Sequence, residues 1–206
     1  MQITAFCGSY RKGGNTSILM EAALNAAKKE GAKVEFLYLS DYKFVGCIGC
    51  EGCSKNNKCV INDDMQVLYT KLRESDGIIL GSPTYFYNVT AIMKAFIDRL
   101  YCFESFSEKD RSCWMGEFEG KFKYAVTMGV CEQKDEKYMG YTVDAMSLPI
   151  IDLGIRVIEE VRAIHSFYKG EILNNSDQLN KAVYAGKKLV EMILLAEKTV
   201  HNSINS

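Results

Sequence analysis

Proline occurs only twice in this 206-residue chain, and histidine only twice. Two isolated prolines make no Pro-rich linker, and no internal repeat or low-complexity tract divides the chain, so a single domain over 1–206 is expected. His165 and His201 have no carboxylate partner suggested by spacing. No Ser-His-Asp arrangement is therefore detectable, and both histidines are expected to be structural or solvent-facing. Nowhere do about 18 apolar residues run together. The opening MQITAFCGSYRKGG also lacks a basic segment followed by an apolar one, so a soluble cytoplasmic protein without membrane contact is expected. A formal net charge of −1 gives no electrostatic case for nucleic acid or an anionic membrane surface.

Cysteine is present in quantity, eight in all. A chain of this length buries roughly 70% of its unfolded surface without needing disulfides, and in the absence of an export signal its thiols read as reduced groups or metal ligands. Four of them, Cys47, Cys50, Cys53 and Cys59, crowd into CIGCEGCSKNNKC. The C-x2-C-x2-C triplet resembles the bacterial ferredoxin run that holds a [4Fe–4S] cluster, where a fourth Cys follows after three residues and is trailed by Pro. Here it follows after five residues, with Val60 next. Zinc sites more often pair two C-x2-C hooks a dozen or more residues apart, so the spacing favours iron–sulfur. Gly49 and Gly52 suit tight turning between ligands and close approach of N–H groups to an anionic cluster. A zinc knuckle, a pair of disulfides and idle thiols remain alternatives.

Short apolar runs alternate with amphipathic stretches, the pattern of a parallel sheet covered on both faces. Strands are expected at Gln2–Cys7, Lys33–Leu39, Gly77–Gly81, Lys123–Thr127 and Arg156–Ile164. Helices are expected from Thr16 to Lys29, after an Asp63 or Asp64 cap, from near Val89, over Tyr138 to Asp152 with Pro149 disturbing its end, and along the periodic stretch Leu179 to Leu194. This alternation fits a doubly wound α/β fold, a five-stranded parallel sheet of order 2-1-3-4-5, whose ligand site lies at the carboxyl ends of strands one and three. The least regular stretches, Ser40–Asn62 with its four cysteines and Phe103–Lys121, are expected to decorate the sheet.

Strand one ends in Gly8-Ser9-Tyr10-Arg11-Lys12-Gly13-Gly14-Asn15-Thr16-Ser17. A loop rich in Gly, hydroxyls and positive charge at a helix start suits a phosphate, through free N–H groups, the helix dipole and hydroxyl donors. It is neither a Walker A loop nor G-x-G-x-x-G, and an ordinary turn capped by Asn15 or Thr16 is the alternative. Strand three ends in Gly81-Ser82-Pro83-Thr84-Tyr85-Phe86-Tyr87-Asn88, whose successive aromatics suit a flat heteroaromatic ligand.

These motifs, with A-F-I-D-R following S-P-T-Y-F-Y-N-V-T, resemble the flavodoxin-like NAD(P)H-dependent FMN reductases, and the compact cysteine motif looks like their iron–sulfur flavoprotein branch. The resemblance runs from strand one to about residue 130. It implies that Ser9, Arg11, Asn15, Thr16 and Ser17 hold the FMN phosphate. It implies that Pro83, Thr84, Tyr85, Phe86, Tyr87 and Asn88 lie against the isoalloxazine. It also implies a [4Fe–4S] cluster on the four cysteines, beside a flavin that often belongs to a neighbouring subunit, in a homodimer or homotetramer. After strand four, where relatives commonly carry a Gly-Gly loop, this chain has Met128-Gly129-Val130-Cys131-Glu132-Gln133, and Met128 and Gly129 are assigned to the third wall of the flavin pocket.

The resulting expectation is an oxidoreductase holding FMN and a [4Fe–4S] cluster, which passes electrons between a ferredoxin-like donor and a small-molecule acceptor. The alternative is an NAD(P)H-dependent FMN or quinone reductase whose cysteines bind zinc or nothing. A non-enzymatic electron-transfer or redox-sensing module is the third reading.

Overall fold

A computed structural model describes the backbone of residues 1–204 and the side chains as far as residue 199, so the side chain of His201 lies outside the described residues. Five parallel strands form the main sheet in the order β2-β1-β3-β6-β7. They are β1 (Gln2–Cys7), β2 (Lys33–Tyr38), β3 (Gly77–Pro83), β6 (Tyr124–Val130) and β7 (Arg156–Ala163). Counting these five alone, the order is the expected 2-1-3-4-5, that of a flavodoxin-like fold. The strands β4 (Glu104–Phe106) and β5 (Trp114–Gly116) form a separate antiparallel hairpin.

The central strands are buried almost throughout, as strands covered on both faces must be, whereas the edge strands β2 and β7 are mostly half-exposed. Alternate residues feed two cores. Ile3, Ala5, Ile79 and Val126 pack under α1 (Asn15–Lys29) and α5 (Ser176–Ile204). Phe6, Ile78, Leu80 and Ala125 pack under α2 (Met65–Glu74), α3 (Ala91–Arg99) and α4 (Asp144–Asp152).

Several boundaries differ from expectation. Gly14, rather than Asn15 or Thr16, is the N-cap of α1. The α3 cap is Thr90, whose hydroxyl accepts the Met93 N–H and donates to the Gly8 carbonyl, tying the loop after β3 to the loop after β1. The fourth helix begins six residues later than expected, because Glu136–Met139 forms a 3-10 turn that ends at left-handed Gly140. Phe103–Lys121 is more than a decorating surface loop: Phe103 and Phe118 are buried and meet edge to face.

Cys7 ends β1 with no solvent exposure, and burial, with the charge of Glu21 adding to it, pushes its thiol from an ordinary 9.0 up to about 12. The folded value lies above the unfolded one. The stability this thiol contributes is therefore complete below pH ~9 and lost as pH rises toward ~12, at about 1.4 kcal/mol per pH unit. Urea titrations from pH ~8 upward should show a shallower alkaline loss in Cys7→Ala than in wild type. Parallel loss in the two proteins would exclude Cys7 as the cause.

Candidate functional site

Register brings the site loops to one edge. Cys7 pairs with Gly81, Pro83 with Val130, and Val130 with Ala163, so the segments that follow β1, β3, β6 and β7 leave side by side. They enclose a cavity of about 110 Å³. Ser9, Arg11, Gly14, Asn15 and Thr16 line one side of it, Pro83, Thr84 and Tyr85 another, and Val130, Glu132, Ser166 and Phe167 the remainder.

On the first side, α1 presents its N-terminus with no acidic residue in the first turn, and the first N–H groups of any helix lack intrahelical partners. Ser9 Oγ accepts the Arg11 N–H at 3.2 Å, which shapes the turn. Arg11 donates to the Phe167 carbonyl at 3.2 Å and lies over that ring. Asn15 spends its amide on the chain itself, donating to the Tyr168 carbonyl and accepting the Ile172 N–H. Ser17 is fully buried, bonds the Gly14 carbonyl and does not line the cavity.

On the second side, Tyr85 and Asn88 exchange backbone hydrogen bonds of 2.7 and 3.2 Å around Phe86 and Tyr87, both left-handed at φ 51° and 66°. This is a type I′ geometry normally filled by Asn and Gly, and two aromatics held in it store about 1–3 kcal/mol each. Such strain marks functional turns, and Phe86 is 100% exposed. Asn88 builds the turn, accepting the Val89 N–H through Oδ1. Tyr87 is in turn held by the Tyr141 N–H at 2.8 Å and by close packing on Gly140.

Met128 and Gly129 are not brought to this cavity. Met128 is fully buried in the core under α1 and α5, and Gly129 packs on Val143 and Met139, so the third wall is made by Val130 and Glu132. Cys131 is buried beside it. Ser166 and Phe167 were not anticipated from the sequence, although aromatics following a strand end, in Ser166-Phe167-Tyr168, are the same kind of signal as the loop after β3. His165 is exposed, as expected.

The four clustered cysteines line a second cavity of about 580 Å³, which shares no lining residue with the first. The ends of α3 and α4 complete it through Ile97, Arg99, Cys102, Pro149 and Leu153. Gly49 is left-handed at φ 65° and Glu51 at φ 54°, which turns the chain between successive thiols, while Gly52 packs on Val60 where a Cβ would clash. Among the described residues no three His, Cys, Asp or Glu side chains converge as a ready metal-binding group. The thiols are nonetheless electrostatic neighbours: burial, then Cys59, Cys47 and Cys50, push the Cys53 thiol up. Cys102, unforeseen, forms a buried fifth thiol in the wall, pushed up to about 11 by burial against the opposing hydrogen bonds of Tyr69 and the Cys59 backbone. All eight cysteines lie among the described residues, and each is a free thiol there. The β4–β5 hairpin rests on this segment, where Asn57 donates to Ser105 Oγ at 2.6 Å.

A parallel sheet of this order, with a helix start and an aromatic turn sharing one cavity at its carboxyl edge, defines a flavodoxin-like α/β protein. More narrowly, residues 1–139 match the NADPH-dependent FMN reductase family; the chain belongs to that family and is a flavin-dependent oxidoreductase of its kind. An iron–sulfur flavoprotein of Archaeoglobus fulgidus is 33% identical over 192 residues, covering 93% of this chain and 80% of the relative. Another, from Methanocaldococcus jannaschii, is 46% identical over 99 residues, so the match spans 48% of this chain and about half, 51%, of that relative. Among solved structures, a flavone reductase superposes with a TM-score of 0.70 at 18% identity, covering 96% of this chain and 64% of the other. An FMN-dependent NADH-azoreductase from Bacillus anthracis, in complex with FMN, gives 0.66 at 13% identity, with 92% and 98% covered. These two speak for the fold alone. No helix among the described residues is long and apolar enough to cross a membrane.

Proposed function

We propose that the chain is one flavodoxin-like unit over 1–206 that binds FMN in the smaller cavity and a [4Fe–4S] cluster on Cys47, Cys50, Cys53 and Cys59, and that it moves electrons between a protein donor and a small acceptor. The observation that carries this reading is the pairing of two cavities, one an anion cradle beside an aromatic turn, the other lined by four thiols with a guanidinium in its wall. That donor set suits an anionic iron–sulfur group.

The α1 N–H groups, Ser9, Arg11 and Thr16 hold the phosphate, and Asn15 braces the opposite wall. Pro83, Thr84, Tyr85 and Tyr87 position the ring and exclude water from one face. When bound, FMN supplies one- and two-electron exchange and the cluster single electrons, at a potential the protein sets within roughly −700 to +450 mV. The family name implies a nicotinamide donor; the cysteine centre favours a ferredoxin-like one. Exposed Leu148 and Ile151 flank Pro149, which lines the cysteine cavity, and with exposed Phe86 they support a homodimer or homotetramer in which this centre faces a neighbour's flavin. Eight unpaired thiols fit a cytoplasmic setting.

The spectrum, iron content and FMN content of protein purified without oxygen test the assignment directly. A second measurement isolates the phosphate cradle. FMN should bind more tightly than riboflavin by about 1–3 kcal/mol, roughly 5–150-fold, because dipole and hydrogen bonds act together on the phosphate. Equal affinities by fluorescence quenching would reduce the loop to an ordinary capped turn.

A further inference from the structure

Among the described residues, the largest fully buried side chain is a cation. Arg99, the last residue of α3, is 2% exposed, and its guanidinium is fully engaged. Nη1 donates to the Val45 carbonyl at 2.9 Å and to Asp63 Oδ2 at 2.8 Å. Nη2 donates to Asp63 Oδ1 at 3.0 Å and reaches the Ile61 carbonyl at 3.5 Å, while Nε donates to the Tyr69 hydroxyl at 3.2 Å. Apart from Tyr69, every acceptor lies just before Cys47 or just after Cys59. One planar fork therefore grips both ends of the cysteine segment.

Asp63 completes the grip by accepting the Val45 N–H at 3.2 Å and the Met65 N–H at 3.1 Å. Burial pushes its carboxyl up, but the Arg99 guanidinium and these N–H groups more than reverse this, so it lies below the usual carboxylate range. One residue pair further out, Asp64 and Lys43 exchange hydrogen bonds of 2.7 and 3.2 Å. Gln66 donates to the Cys59 and Ile61 carbonyls.

We propose that Arg99 is the positioning residue of the cysteine centre: locked by Asp63, it closes the mouth of the segment before any metal is bound, so that the four thiols face one cavity. The proposal rests on reading those thiols as a metal centre. Buried ion pairs are weak contributors to stability but strong determinants of geometry, and a bidentate fork is what Lys cannot replace. Without the grip, each binding event would carry the closure entropy of the whole segment. Arg99 is among the residues that line the cavity and Asp63 is not, and Cys59 is close enough to act electrostatically on the guanidinium.

Hydrogen exchange of metal-free protein tests the grip without reference to iron. The N–H groups of Ser54 and Asn57, bonded within the segment to the Glu51 and Cys53 carbonyls, lie away from the substituted side chain. In Arg99→Lys they should exchange at least about tenfold faster than in wild type, with FMN affinity kept within about twofold. The loaded Arg99→Lys protein should release iron to a chelator about tenfold faster, the loss expected for a loosened ligand shell. In Asp63→Asn the midpoint potential of the loaded centre should move upward, because the buried guanidinium beside the cavity then loses its compensating carboxylate. Unchanged exchange and iron release in Arg99→Lys, or an unmoved potential in Asp63→Asn, would overturn the proposal. So would loss of FMN along with the segment, which would assign Arg99 to the fold as a whole. A wild-type protein that takes up no iron while its exchange still depends on Arg99 would instead sink the iron–sulfur reading and leave the grip standing.

Discussion

Replacing Cys50 by Ala should strip anaerobically prepared protein of most of its iron, from about four atoms per chain in wild type to below about one. Cys50 sits between left-handed Gly49 and Glu51, at the exposed turn of the segment. No other cysteine can take its place without undoing both turns; Cys102, the spare thiol of the cavity, is buried in its wall. A cluster would then have only Cys47, Cys53 and Cys59 of the segment to hold it. The same variant should keep FMN, since the cavity proposed for it shares no lining residue with the cysteine cavity. Rapid mixing with reduced ferredoxin then separates the readings. Fast flavin reduction in wild type and near absence of it in Cys50→Ala supports a centre that feeds the flavin. Unchanged reduction would make the cysteines a structural or sensing site. Zinc at about one equivalent in place of iron would transfer the function to the nicotinamide-dependent alternative.

Much of the fold was legible because the central strands are mostly apolar on both faces, as with Ile3, Ala5, Phe6 and Cys7 around Thr4 in β1. Gln2–Cys7 was read to the residue for this reason. Strand β6, expected at Lys123–Thr127, runs instead from Tyr124 to Val130, one residue later at its start and three at its end. The Lys123 amine is buried, donating to the Leu72, Arg73 and Ser75 carbonyls that terminate α2. The start of α4 was misjudged as well. Tyr138 and Met139 fall on a helical repeat, but the backbone of Gly140 breaks it.

The site was legible by its loops and less so by its individual side chains. Composition identifies a helix start rich in Ser, Thr and Asn, yet it does not say which hydroxyl faces outward. Ser17 turned back onto Gly14, Asn15 onto the segment after β7, and Met128 into the core under α1 and α5, because both faces of this central strand are covered there. Arg99 entered the sequence reading only as the last residue of A-F-I-D-R, with no role of its own. A basic residue in the last turn of an amphipathic helix ordinarily reads as a partner of the helix dipole, and only the fold shows that the cysteine segment lies across it.

Gly140→Ala should weaken FMN binding by about 2 kcal/mol or more, roughly thirtyfold, while leaving the iron content unchanged. Gly140 has φ 55° and ψ −128°, a conformation essentially closed to residues with a side chain. A Cβ there would also stand 2.4 Å from the Tyr87 carbonyl oxygen and 2.6 Å from Tyr87 Cβ. Neither neighbour can yield cheaply. Tyr87 is itself left-handed and fixed by the Tyr141 N–H, and Tyr85 and Asn88 close the turn around it. Relief must come from displacing the aromatic turn as a unit, away from Thr84 and the cavity it lines with Tyr85. The cysteine segment is held separately by Arg99 and Asp63, so iron retention serves as the internal control. Fluorescence quenching by the variant reads the flavin affinity. A dissociation constant within about threefold of wild type would mean that the turn can move without disturbing the flavin, and that Tyr85 and Tyr87 do not set the ring's position.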